Sequence, residues 1–183
     1  MPAVLRRYTV ADLDRFPRDG NRYELVEGIL LVTPGPGHPH QSLVSALLVR
    51  LASELVAEPD VRIWSPGTVE ARPDLHLEPD LLVGSRPAGP SWEDVRTHWL
   101  AVEVSGQGSR VYDREYKRDA YLAAGVQEVW VIDLKARTVE TSRPDRRAVI
   151  PIEGTLVRTT PAGRRVTIAV AELFRDMVWP DDR

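Results

Sequence analysis

The chain has 183 residues, a formal net charge of -3 and no cysteine. That length suits one domain, and the missing thiols exclude a disulfide framework, a thiolate zinc site, an iron–sulfur cluster and a cysteine nucleophile. The charge and a pI near 5.8 argue against a generic electrostatic coat for nucleic acid while leaving room for a local basic site.

The segment MPAVLRRYTVADLDRF at the start lacks an apolar core followed by a small-residue cleavage site, which predicts a cytoplasmic protein. Thr9 and Asp12 read as a capping-box variant opening a short helix with Leu13 and Phe16 as apolar contacts, and Pro17 to Asn21 ends it. Tyr23 to Val32 is strand-like, with Glu27-Gly28 as a hairpin turn or bulge. A rigid loop, TPGPGHP, leads to a long amphipathic helix from His40 to about Val56. Leu43, Leu47, Leu51 and Leu55 form its apolar row, flanked by Val44 and Leu48.

Val61 to Arg72 reads as one or two strands, and Pro79-Asp80 precedes a short buried strand at Leu81, Leu82 and Val83. Residues 84–97 read as loop with one helical turn near Ser91–Val95, and Trp99 to Val104 as another buried strand. Ser109 is placed to cap a helix from Arg110 to Ala124, with Gly125 as its stop. Glu128 to Ile132 is a strand carrying Trp130, a core residue in this reading; a turn at Asp133–Ala136 then leads into its hairpin partner from Thr138. Residues 145–170 read as an antiparallel extension, and a last short helix holds Leu173 and Phe174. This order is α/β or α+β, with a mixed central sheet. No apolar run approaches the roughly 18 residues of a membrane span.

Chemistry concentrates around two acids. Along Trp99–Ser105 side chains alternate, so Leu100, Val102 and Val104 face one way and Ala101, Glu103 and Ser105 the other. A glutamate inside an apolar strand is costly unless paired or bound to a cation. If the Asp80 strand pairs with it, Asp80 and Glu103 converge on one face, and a hard divalent cation would relieve their repulsion. With no cysteine, magnesium or manganese fits better than zinc.

On the following helix, Asp113, Lys117 and Tyr121 share a stripe beside Arg110, Arg114 and Arg118, with Tyr112, Tyr116, Ala120 and Ala123 as the opposite, packing face. Folded back over the strand end, this helix would bring Lys117 to the carboxylates. Only Lys117 and Lys135 are lysines among 24 basic residues. Each signal has a plain alternative: an edge glutamate paired with arginine, an ordinary i,i+4 ion pair between Asp113 and Lys117, a solvated arginine face, and a Pro-Asp turn of the kind also seen at Pro73-Asp74.

Taken together, the motifs resemble the Uma2 family of the PD-(D/E)XK restriction-endonuclease-like superfamily. The resemblance is carried by Tyr23-Glu-Leu-Val-Glu-Gly28, the proline-rich loop leading to His40, Pro79-Asp80-Leu-Leu-Val83 and Leu100-Ala-Val-Glu-Val-Ser105. Its most specific part is Asp113-x-x-x-Lys117-x-x-x-Tyr121-x-x-x-Gly125-Val126 followed by Val129-Trp-Val-Ile-Asp133. The chain departs from the pattern at Ser105, where the superfamily carries its lysine, and at Ser105-Gly-Gln-Gly-Ser109, where the family has Ser-Pro-Ser/Thr.

The resemblance implies a restriction-endonuclease-like mixed sheet flanked by helices, with an added antiparallel extension. One domain, 1–183, would comprise an N-terminal helix and hairpin (1–37), a core (38–141) and a β extension (142–183). It implies a Mg2+- or Mn2+-dependent endonuclease acting on DNA; cutting both strands of a duplex ordinarily needs two active sites, which makes a homodimer the expectation. Asp80, Glu103 and the Val104 carbonyl would hold the metal, Lys117 would stand in for the displaced lysine, and Glu24 would reach in from the hairpin. Arg110, Arg114 and Arg118 would contact phosphate, supported by His40, Asp113 and Tyr121. Two alternatives stay open: a nuclease fold that binds DNA or protein without cutting, and a metal-independent hydrolase such as a glycosidase using Glu24 and Glu103.

Overall fold

A computed structural model of the chain describes residues 6–106, 112–175 and 177, with the backbone alone at 112–114. A helical turn, α1 (Val10–Leu13), opens the described chain. The Asp12 carboxylate accepts hydrogen bonds from the Thr9 N–H and hydroxyl. Strands β1 (Arg22–Val26) and β2 (Ile29–Thr33) follow as a hairpin. Its two-residue turn puts Glu27 at φ 51° and Gly28 at φ 76°, the left-handed pair that matches strand twist.

Helix α2 (His38–Leu55) starts at Gly37, with a proline in its first turn, and buries Leu43, Val44, Leu47, Leu51 and Leu55 as its apolar row dictates. The stretch 61–72 divides between two sheets, as β3 (Val61–Trp64) and β4 (Val69–Arg72). Pro73 and Asp74 turn β4 into β5 (Leu75–Leu77). Strand β5 is an element the periodicity does not announce, because three residues give alternation too little room. Strands β6 (Leu81–Ser85) and β7 (His98–Ser105) pair antiparallel, separated by a 3-10 turn at Trp92–Asp94.

A π-helical turn, Tyr112–Lys117, runs into α3 (Arg118–Ala123). This crossover delivers β8 (Val129–Asp133) parallel to β7. Strands β9 (Thr138–Arg143) and β10 (Arg146–Ile150) continue the same sheet. Strands β11 (Thr155–Thr159) and β12 (Arg165–Ala169) form a separate ribbon before α4 (Val170–Leu173). The antiparallel extension therefore divides: its first hairpin widens the central sheet, and only β11–β12 stands apart.

The central sheet has the order β10-β9-β8-β7-β6-β3, and a four-stranded sheet has the order β2-β1-β5-β4. One face of the central sheet, with Leu100, Val102, Val104, Trp130 and Ile132, packs on α2, the ribbon and α4. The other face, with Leu82, Ala101, Val129 and Val131, packs on Ala120 and Tyr121 of α3 and on Val69, Leu75 and Leu77 of the small sheet. Strands β7 and β8 are covered on both faces, which is why they read as near-continuous apolar runs. No helix among the described residues is long and apolar enough to cross a membrane.

The sequence expectation for the helix face needs one correction. Tyr116 is 55 % exposed, whereas Tyr121 is fully buried. Lys117, Ala120 and Tyr121 are the residues that face inward. Lys117, Ala120 and Tyr121 are spaced i, i+3 and i+4 and so share one face, which Tyr116, the residue before Lys117, falls off.

Candidate active site

The register between β6 and β7 places the two acids. Leu81 opposes Val102 and Leu82 opposes Ala101. One residue further along, Asp80 stands opposite Glu103, on the face shared with Leu82 and Ala101. The Asp80 carboxylate continues the ladder beyond the end of β6, because its Oδ2 accepts the Val104 N–H at 2.8 Å. A strand residue's N–H and C=O point to the same edge. The Val104 carbonyl therefore also faces the Asp80 side, where β6 has ended. From below, the Ser65 hydroxyl donates to the Asp80 main-chain oxygen at 2.9 Å. The Gly67 N–H donates to the Pro79 carbonyl at 3.1 Å. A Cβ on Gly67 would collide with Leu82, so only glycine lets this segment lie so close to β6.

Three carboxylates lie in this region almost without solvent contact: Glu24 at 0 %, Asp80 at 2 % and Glu103 at 3 % exposure, with Lys117 also at 3 %. Buried charges at this density persist only when paired. Lys117 Nζ is 2.5 Å from Glu24 Oε2 and 3.5 Å from Glu103 Oε1. The Tyr121 hydroxyl donates to Glu103 Oε1 at 2.6 Å. The other Glu24 oxygen, Oε1, accepts the Glu78 N–H at 2.9 Å.

Asp80 has its own partners. Arg22 Nη1 donates to Oδ1 at 2.7 Å, and His40 Nε2 lies 2.9 Å from Oδ2. Burial pushes the Asp80 carboxyl up. The His40 hydrogen bond and charge, the Arg22 charge and the Val104 N–H outweigh that and hold it below its ordinary value. Burial, the charges of Glu103, Glu24 and Asp80, and the Glu103 hydrogen bond drive the Tyr121 phenol well above its ordinary value, so it stays a neutral donor.

These groups open into a cleft of about 510 Å³ lined by Arg22, His40, Asp80, Glu103, Val104 and Lys117. Leu30, Leu31, Val32 and Pro34, with Pro36 of the following loop and Pro39 in the first turn of α2, form its apolar wall. The expected residues thus fall into three groups. Asp80, Glu103, Val104, Lys117 and His40 line the cleft, and Glu24 and Tyr121 stand behind it on Lys117 and Glu103. Arg118 turns elsewhere, because its guanidinium lies on Glu140 at 3.4 Å and on Asp119 at 2.8 Å. Arg110 and the side chains of Asp113 and Arg114 lie outside the described residues.

Arg22 is the residue that sequence reasoning missed. Strand alternation puts it on the same face as Glu24, and that spacing is the signal that could have found it. A second cluster on the small sheet holds His76 between Glu70 at 2.5 Å and Glu78 at 3.3 Å. Burial lowers the His76 pKa, but its bonds and charges to Glu78 and Glu70 raise it overall.

The donor set suits a hard divalent cation. Among the described residues, no three His, Asp or Glu side chains come together in a way that would hold an ion by themselves. Asp80 and Glu103 supply two carboxylates on adjacent strands, and the Val104 carbonyl faces the same side. Magnesium is ordinarily held in this way, by one or two carboxylates with water and substrate phosphate completing the shell.

Comparison with known proteins agrees with the architecture. A crystal structure of a putative nuclease belonging to DUF820 from Anabaena variabilis ATCC 29413 superposes with a TM-score of 0.72 at 18% sequence identity, covering 91% of this chain and 97% of that one. No curated protein matches the chain. The family model for Uma2, described as a putative restriction endonuclease, matches residues 10–175. The chain therefore belongs to the Uma2 family.

Proposed function

We propose that the chain is an endonuclease that hydrolyses DNA phosphodiester bonds with a hard divalent cation, magnesium or manganese. One observation carries the reading. The β6–β7 register sets Asp80, just before β6, opposite Glu103 on β7, both line the cleft, and the Lys117 ammonium is 3.5 Å from Glu103. The family description supports the reaction class.

In this reading Asp80 and Glu103 hold the cation, with the Val104 carbonyl as a further ligand. The ion, when bound, supplies Lewis-acid polarisation of a phosphoryl oxygen and a bound water of lowered pKa. Lys117 bridges Glu24 and Glu103 and so holds a fixed ammonium beside the place where phosphate charge develops. Tyr121 fixes the Glu103 rotamer. His40 and the Val104 N–H fix Asp80 through Oδ2, while Oδ1 carries Arg22. Glu24 positions Lys117.

The purified chain should nick or degrade DNA with magnesium or manganese and should stop when the metal is chelated. Asp80→Ala, Glu103→Ala and Lys117→Ala should each lower the rate by about a hundredfold or more, with circular dichroism unchanged. Full activity in Glu103→Ala, or cleavage that persists in chelator, would remove this reading. Metal dependence also separates it from a paired-carboxylate glycosidase, which needs no ion.

A further inference from the structure

Lys117 and Arg22 both line the cleft, and they are held differently. Lys117 sits between two carboxylates and its side chain is only 4 % exposed. Arg22 lies on the single carboxylate of Asp80 and its side chain is 20 % exposed. The two Asp80 oxygens are also unequal. Oδ2 is engaged by His40 at 2.9 Å and by the Val104 N–H at 2.8 Å. Oδ1 carries Arg22 at 2.7 Å. An ion that takes Asp80 through Oδ1 must displace Arg22, the partner which that oxygen has here.

From this arrangement we propose that Arg22 is the counter-ion that an incoming divalent cation displaces from Asp80, and that its released guanidinium binds the phosphate of the substrate. The inference rests on the metal-dependent reading above. The chemistry fits both positions. A guanidinium on a carboxylate is a charge-assisted bond that neutralises Asp80 while no metal is present. The same planar fork matches two oxygens of a phosphate, which a lysine at this position would not. Arg22 sits near the end of β1 beside the cleft, so a change of its side-chain rotamers moves the guanidinium without moving the strand. Burial opposes the Arg22 charge, but Asp80, Glu103 and Glu24 together more than sustain it. The group therefore remains a cation in either place.

The proposal makes two effects of one substitution run in opposite directions. Calorimetric titration of Mn2+ into the full chain without DNA should show Arg22→Met binding the ion about tenfold more tightly than wild type, the scale of one charge contact at close range. A fluorescein-labelled duplex in Ca2+ should bind Arg22→Met about tenfold more weakly. Mn2+ bound by wild type and bound no more tightly by Arg22→Met overturns the proposal while leaving the nuclease reading intact. Mn2+ bound by neither protein overturns both. Mn2+ bound only by Arg22→Met supports the displacement in its strongest form.

Should Arg22→Met fail to fold, the same question is read in wild type by NMR. The Arg22 side-chain Nε–H resonance, assigned by its absence from Arg22→Lys, should shift on Mg2+ addition as the Asp80 contact is lost. An unmoved resonance at saturating Mg2+ counts against the exchange.

Discussion

At the scale of single residues, the site is a set of acids whose positions are fixed by neutral donors and two cations. Glu103 shows the logic. Its carboxylate sits on a strand with apolar neighbours and is held by the Tyr121 hydroxyl at 2.6 Å and by Lys117 at 3.5 Å. Tyr121→Phe keeps the ring and removes only the donor. A hydrogen bond to a charged group contributes about 1.5–3 kcal/mol, so urea unfolding should show a loss of roughly that size. Nuclease turnover should fall with it, because Glu103 would lose its contact to Tyr121, which is shorter than the one to Lys117. An unchanged urea midpoint would mean that the hydroxyl contributes nothing to holding Glu103. Glu103, Asp80 and Lys117 are readable from the sequence because each stands within a local pattern. Arg22 is only half readable: alternation puts it on the face of Glu24, but its partner Asp80 lies 58 residues away, and only the fold joins the two.

At the scale of elements, the crossover from β7 to β8 does most of the positioning. Its π-helical turn and α3 carry Lys117 and Tyr121 to Glu103 on the strand that precedes them. The helix must then stop promptly so that β8 can start beside β7. Gly125 at φ 90° provides that stop, with its N–H bonded to the Leu122 carbonyl at 3.0 Å. A side chain there would meet no neighbour within 4 Å. Any cost of Gly125→Ala is therefore backbone strain alone, about 1–2 kcal/mol, measurable as a lower thermal midpoint with unchanged metal affinity. The long helix, the alternation at 99–105 and this glycine stop are all legible from hydropathy and turn chemistry. The Lys117–Tyr121 stripe of the crossover helix is legible in the same way, whereas the exposure of Tyr116 is decided by which side of the helix packs on the sheet.

At the scale of the molecule, two sheets meet behind the cleft, and the ribbon is tied to the central sheet from the far side. Glu128, nearly buried, accepts from Arg143 at the end of β9, from Arg158 on β11 and from the Trp130 indole N–H. Burial lowers the Arg158 pKa, the Glu128 charge works against that, and Arg143 adds to the lowering. Removing one member of such a buried network leaves the others unpaired. Glu128→Gln should therefore cost about 3 kcal/mol or more. Because the network lies away from the cleft, the folded fraction of Glu128→Gln should retain wild-type Mn2+ affinity. A loss of Mn2+ affinity in fully folded Glu128→Gln would show that the ribbon acts on the cleft.

Sequence alone determined the elements whose signal is local: the apolar row of α2, the buried strands, the turn at Glu27-Gly28, the excluded thiol chemistry, and the family resemblance that the match over residues 10–175 bears out. Tertiary structure decided what depends on register and packing. It split 61–72 between two sheets and used β5 to seat the hairpin. It turned Arg118 onto Glu140 and brought Arg22 and His40 onto Asp80. The reason is physical. Hydropathy records which side chains leave water, but a charge buried in the protein is satisfied by whichever partner the fold brings within about 3 Å, and that partner can lie anywhere in the chain.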